Sequence, residues 1–190
     1  NTVAERNMIY GLWNNSRYTE SAEVIIGGMI VLAFVLFLLK RKGPPYTSAW
    51  VSVKSWLFVA PLLFSVFAIP EPWPLIFVTW VGVMSVKSFF QMVGMYHRSW
   101  FVWTTYFFII AVGYAVHIDH TMYYNLMPMI FLGSICLIPL MRNSATQMVQ
   151  YIALSLIAFM FWGWGYMHMA RLVNFEGGAL MVLYLYMLTE

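Results

Sequence analysis

The chain has 190 residues, 62% hydrophobic and 9% charged, with ten Lys/Arg against seven Asp/Glu. A soluble domain carries roughly 25% charged residues, and a chain this short leaves too much of its surface in solvent to hide such a composition from water. The net charge of +3 does not mark a nucleic-acid binder, because the basic residues lie scattered between apolar runs and form no stripe.

The composition therefore predicts an all-α integral membrane protein, a bundle of about seven transmembrane helices, since about 20 apolar residues span a bilayer core. Residues 1–21 read as a polar tail and 22–190 as the membrane domain. Hydropathy places the first helix at 22–39. Lys40-Arg41-Lys42-Gly43-Pro44-Pro45 ends it, because adjacent prolines cannot continue a helix. The second helix is expected over 51–69 and the third over 74–94, separated by Pro70-Glu71-Pro72-Trp73-Pro74. Further runs at 101–118, 122–140, 147–169 and 177–190 complete the set, with turn signals at Asn143-Ser144 and from Asn174 to Gly178. The single cysteine, Cys136, excludes an internal disulfide and reads as a small core residue. The chain stops at Glu190 within or just after an apolar stretch, which suggests that a further segment follows.

Orientation comes from the distribution of Lys and Arg. Lys40, Arg41, Lys42 and Lys54 are assigned to the loop after the first helix, Arg98 to the loop after the third, and Arg142 to the loop after the fifth. The alternate loops hold Glu71, then Asp119 with His117 and His120, then Arg171 with Glu176. The basic side is cytoplasmic, so the N-terminal tail, with Arg6 and Arg17 offset by Glu5, Glu20 and Glu23, lies outside and Glu190 arrives at the cytoplasmic face.

Polar residues within spans are costly and are candidates for function. Lys87, in Ser85-Val86-Lys87-Ser88-Phe89-Phe90, lies roughly 16 Å along a continuous helix from Arg98. It reads either as a cation aimed at a phosphate or carboxylate, or as a snorkelling interfacial lysine. His117, His120 and His168 offer the ligands for a bis-histidine haem, against the blander reading of interfacial histidines bonded to loops. Trp162-Gly163-Trp164-Gly165-Tyr166 suggests close helix contact. No Ser-His-Asp set, phosphate-cradling glycine loop or paired-aspartate motif occurs, so the chain holds no complete active site.

Taken in order, these features resemble the N-terminal portion of the membrane phosphatidate cytidylyltransferases (CDP-diglyceride synthetases), in their divergent bacterial branch. The resemblance runs from about Lys40 through the Ser-x-Lys-x-Phe-Phe stretch at Ser85–Phe90, Arg98, Pro139, Arg142 and Trp162 to Arg171. It then continues through Asn174-Phe175-Glu176-Gly177-Gly178 to Leu188-Thr189-Glu190. One departure is Ser88, where relatives often have Glu beside the lysine. The family's aspartate-bearing C-terminal signature has no match in these residues. The resemblance implies transfer of a cytidylyl group from CTP to phosphatidic acid at a bacterial cytoplasmic membrane, with Mg2+ held by aspartates that no position here supplies. It implies anionic head-group binding by Lys87, Arg98 and Arg142, and membrane lipids, CTP and a homodimer or membrane-complex subunit as partners. The alternative is a non-catalytic membrane scaffold or accessory subunit.

Overall fold

The computed structural model describes residues 12–142, 147–173, 175 and 177–188. The side chains of Asn14, Lys42, Pro44, Pro45, Arg142 and residues 186–188 are outside that description. Every regular element among these residues is helical. Six helices, Ser16–Leu39, Tyr46–Ala68, Trp73–Met92, Ser99–His117, Thr121–Met141 and Met148–Val173, are long and apolar enough to cross a bilayer. The most apolar of them, Ser16–Leu39, has 11% of its span buried, whereas Ser99–His117 has 50%. Water would penalise so exposed an apolar helix heavily, and hydrocarbon does not. Phe58, Phe107, Leu140 and Val149 are each at least 66% exposed, and they mark the same apolar surroundings. The chain is built as a multi-pass membrane protein.

The chain forms two compact units. The first comprises residues up to Pro74 together with Leu183–Glu190. In it α1 (Ser16–Leu39) packs along α2 (Pro44–Ala68) through a 3-10 turn at Lys40–Lys42. Helix α1 begins earlier than expected and takes in residues 16–21, because Asn15 caps it by accepting from the Arg17 amide (3.1 Å). Helix α2 also begins earlier. Pro44-Pro45 opens it, since proline lacks only an amide that the first turn leaves unused. Lys54 thus lies within α2 and not in a loop. Buried Tyr18 donates its hydroxyl to the Phe64 carbonyl (2.6 Å) across the two helices. At the turn, the Lys40 ammonium sits 3.9 Å from the Phe37 ring centre and 5.4 Å from that of Trp50, a cation–π cage at a helix junction.

The second unit is Leu75–Val182. It contains most of α3 (Trp73–Met92), then α4 (Ser99–His117), α5 (Thr121–Arg142), α6 (Met148–Ala158), a π-helical stretch at Phe159–Gly165 and α7 (Tyr166–Val173). Helix α4 is central, touched by α5, α6, the π-helical stretch and α7. Phe108 packs edge-on against Phe131 of α5 (5.2 Å) and Phe159 (6.2 Å), and Phe131 stacks on Phe159 (4.2 Å). Glycines allow close approach on the other side. A Cβ at Gly82 would lie 3.1 Å from the Trp162 carbonyl, and one at Gly163 would lie 3.0 Å from Ile109. The glycine-rich aromatic stretch therefore makes the close contact its sequence suggests. Its π-helical winding was not foreseen, because a widened turn depends on neighbours and carries no sequence period of its own.

A last helix, α8, spans Gly178–Leu188, about 16 Å at 1.5 Å per residue. That is half the thickness expected of a seventh span, and Thr189 and Glu190 lie outside the described residues. Cys136 is exposed on α5, not a core residue as composition suggested. Since helix faces rather than hydropathy decide which apolar residue meets protein and which meets lipid, a lone apolar cysteine cannot be placed from sequence.

A substitution at a close approach tests this packing. A Cβ on Gly113 would meet Thr79 Oγ1 at 2.5 Å, whereas one on Gly133 would meet nothing within 4 Å. Gly113→Ala is expected to destabilise the protein by about 1–3 kcal/mol through overpacking and to lower the thermal midpoint in detergent. Gly133→Ala should leave that midpoint unchanged.

Candidate functional site

Helix α3 stops at Met92, earlier than the expected residue 94. Gly94 adopts a left-handed conformation (φ 70°). Its amide bonds to the Gln91 carbonyl (3.2 Å), and the Met95 amide reaches back to Phe90 (2.9 Å). This is a Schellman close, sealed by Phe90 and Met95, both at most 1% exposed. The turn changes the position of Lys87. It lies five residues, about 7–8 Å, from the helix end, much nearer the interface than a continuous helix to Arg98 implied. Its side chain is half-buried.

Arg98 follows the turn and precedes α4, where the Phe101 and Val102 amides bond its carbonyl (3.1 and 3.3 Å). Its guanidinium carbon lies 4.8 Å from the centre of the Tyr151 ring on α6, and Phe101 packs on the same ring (5.8 Å). Tyr151 is fixed in turn by donating to Gln147 Oε1 (2.8 Å). Arg98 Nε is buried and has no hydrogen-bond partner among the described residues. Such a donor carries an unmet desolvation cost unless a ligand or water reaches it. The one described carboxylate of this unit is Asp119, in the turn after α4, so no described carboxylate neutralises Lys87 or Arg98 at this end. The structure thus brings Arg98 to Tyr151, itself held by Gln147, two residues that sequence reasoning missed because aromatic and amide residues of a separate helix carry no motif. Arg142 ends α5, and its side chain lies outside the described residues.

The histidines gather at the other end of α4. Asp119 (φ 49°) closes that helix as Gly94 closes α3, its amide bonding Val116 and that of His120 bonding Ala115 (both 3.1 Å). His117 and His120 are exposed, and the His120 ring lies against Tyr123 (4.1 Å). His168 Nδ1 is 2.6 Å from the Tyr124 hydroxyl and 3.0 Å from the Trp164 carbonyl. Among the described residues no three His, Cys, Asp or Glu side chains come together. These residues therefore do not fit the Mg2+ that the resemblance implies.

Tyr124 also donates to the Trp164 carbonyl (2.9 Å), and the Trp164 indole donates to the Tyr124 carbonyl (3.2 Å). Tyr124→Phe is expected to cost about 0.6–1.7 kcal/mol, the range for hydrogen bonds between membrane helices. Thermal unfolding in detergent measures the loss. No family model matches the chain, no curated protein matches it, and no solved structure matches it.

Proposed function

We propose that this chain is the membrane portion of a phosphatidate cytidylyltransferase of the bacterial cytoplasmic membrane, with its N-terminus outside and about seven crossings. One observation carries the reading. At one end of a unit that otherwise faces lipid, two cations have no described carboxylate beside them, and one of them, Arg98, keeps a buried donor unused. A phosphate monoester at the membrane interface supplies what they lack. A guanidinium presents planar donors that match phosphate oxygens, and the Tyr151 ring 4.8 Å away restrains its position. Lys87 adds a mobile point charge that reaches toward the interface from half-buried surroundings, and Arg142 adds charge at the end of α5.

In the reaction, a phosphate oxygen of phosphatidic acid attacks the α-phosphorus of CTP. The bond to the β-phosphate breaks, and CDP-diacylglycerol and pyrophosphate are formed. The role of the residues here is to hold and orient the lipid phosphate, which lowers the entropic cost of bringing two anions together. No step through Mg2+ is assigned, because the described residues do not fit it.

The test is direct. Membranes containing the complete gene product should convert labelled CTP and phosphatidic acid into CDP-diacylglycerol. Lys87→Met and Arg98→Met should each lower kcat/KM at least tenfold, equivalent to about 1.4 kcal/mol, at equal membrane abundance. No turnover by the parent protein would sink the enzyme reading and favour an accessory subunit. Turnover undiminished in both variants would remove the head-group role.

Orientation has its own test. In a Cys136→Ser background, His117→Cys should react with an impermeant maleimide from outside intact cells. Ser99→Cys should react only after the membrane is opened. The reverse pattern would invert the topology.

A further inference from the structure

At the opposite end of the Leu75–Val182 unit from Arg98, a polar cluster surrounds Tyr124, which is 1% exposed. Its ring stacks on Trp164 (5.7 Å) and takes the His168 ring edge-on (5.2 Å). The Arg171 guanidinium carbon lies 4.9 Å from its centre. Arg171 also donates through Nη2 to Thr121 Oγ1 (3.3 Å). His168 and Arg171 are three residues apart on α7, so their side chains share a face.

The hydrogen bonds assign the histidine proton. The Trp164 carbonyl can only accept, and it faces both the Tyr124 hydroxyl and His168 Nδ1. With the proton on Nδ1, the ring N–H is shared between the Tyr124 hydroxyl oxygen (2.6 Å) and the carbonyl (3.0 Å), while the hydroxyl donates to the carbonyl (2.9 Å). With the proton on Nε2, a nitrogen lone pair would point at the carbonyl oxygen. This network places the ring proton on Nδ1 and leaves Nε2 as the acceptor.

We propose that Arg171, Thr121 and His168 form a binding site for the head group of an anionic phospholipid, with the guanidinium on the phosphate and His168 Nε2 accepting from a head-group hydroxyl. Three observations support it. Arg171 is held by a ring and a hydroxyl, and among the described residues it forms no ion pair, although Asp119 lies in the turn at this same end. Its guanidinium thus keeps donors for a phosphate. Tyr123, Tyr124 and Trp164 form an aromatic belt at these helix ends, the depth at which lipid phosphates lie. The cluster is also pre-organised, because Tyr124 is locked by two hydrogen bonds to the Trp164 backbone and its indole. The site lies away from Lys87 and Arg98, so it stands independently of the cytidylyltransferase reading.

The experiment measures lipid binding by native mass spectrometry and thermal shift on the complete protein in neutral detergent. Phosphatidylglycerol should bind and raise the thermal midpoint, phosphatidylcholine should not, and millimolar inorganic phosphate should not displace the lipid. Arg171→Gln should weaken phosphatidylglycerol binding at least tenfold, and Arg171→Lys, which keeps the charge but loses the fork, at least threefold. His168→Asn retains a donor in place of Nδ1 but lacks Nε2, and should narrow the preference for phosphatidylglycerol over phosphatidate. Parent-like binding by both Arg171 variants, or equal binding of phosphatidylcholine, overturns the site. Displacement by millimolar phosphate overturns the lipid as its ligand, and an unchanged preference in His168→Asn overturns the hydroxyl contact.

Discussion

In a hydrocarbon solvent each backbone amide and carbonyl must find its partner within the protein, and the rest of this structure follows from that demand. Helices meet it by themselves, and only helices occur among the described residues. Where the chain must turn, the amides and carbonyls released at the helix end are recaptured locally. The left-handed residues Gly94 and Asp119 perform the same reversal at opposite ends of α4, each with two backbone bonds folding back onto the helix before it. Hydroxyls inside the spans obey the same rule. Ser55, Ser65, Thr79, Thr105 and Ser134 each donate to the carbonyl four residues earlier, the back-bond open to a hydroxyl within a helix. Fully buried Ser155 and the buried hydroxyl of Tyr106 depart from it, with oxygens that have no partner among the described residues.

Since lipid is as apolar as a leucine side chain, apolar burial does not drive these helices together as it would in water. Association rests on close approach and on a few polar contacts. Gly82, Gly113 and Gly163 admit neighbouring backbone or side chains where a Cβ would intrude. The π-helical stretch presents Trp162 and Trp164 to two different neighbours. The Trp162 ring packs on Phe89 of α3 (4.8 Å), and Trp164 packs on Tyr124 of α5. In the first unit, the Tyr18 hydroxyl on the Phe64 carbonyl plays the corresponding part.

Charge is sparse, and the two ends of the second unit differ. Around Arg98 the guanidinium lies on one aromatic ring with a buried donor unused, whereas Arg171 belongs to a network in which tyrosine, tryptophan and histidine orient one another.

The sequence by itself determined the solvent. Its apolar runs and scarce charges require a helical membrane protein, because in lipid only helices and closed barrels satisfy the backbone and runs of about 20 apolar residues are helix-length spans. Helix positions were legible to within a few residues, except where polar residues extend a helix past its apolar run, as Asn15 and Pro44 do. Lys87 stood out in the sequence from the cost of charge near lipid, whereas Arg98 and Arg142 were singled out only through the family resemblance. Tertiary structure alone decided which faces meet, and with them the ring beneath Arg98, the exposure of Cys136, and the meeting of Tyr124 with His168 and Arg171. Hydropathy records how much a residue avoids water. It does not record direction around the helix axis, and direction decides whether a side chain touches lipid, a neighbouring helix or a phosphate.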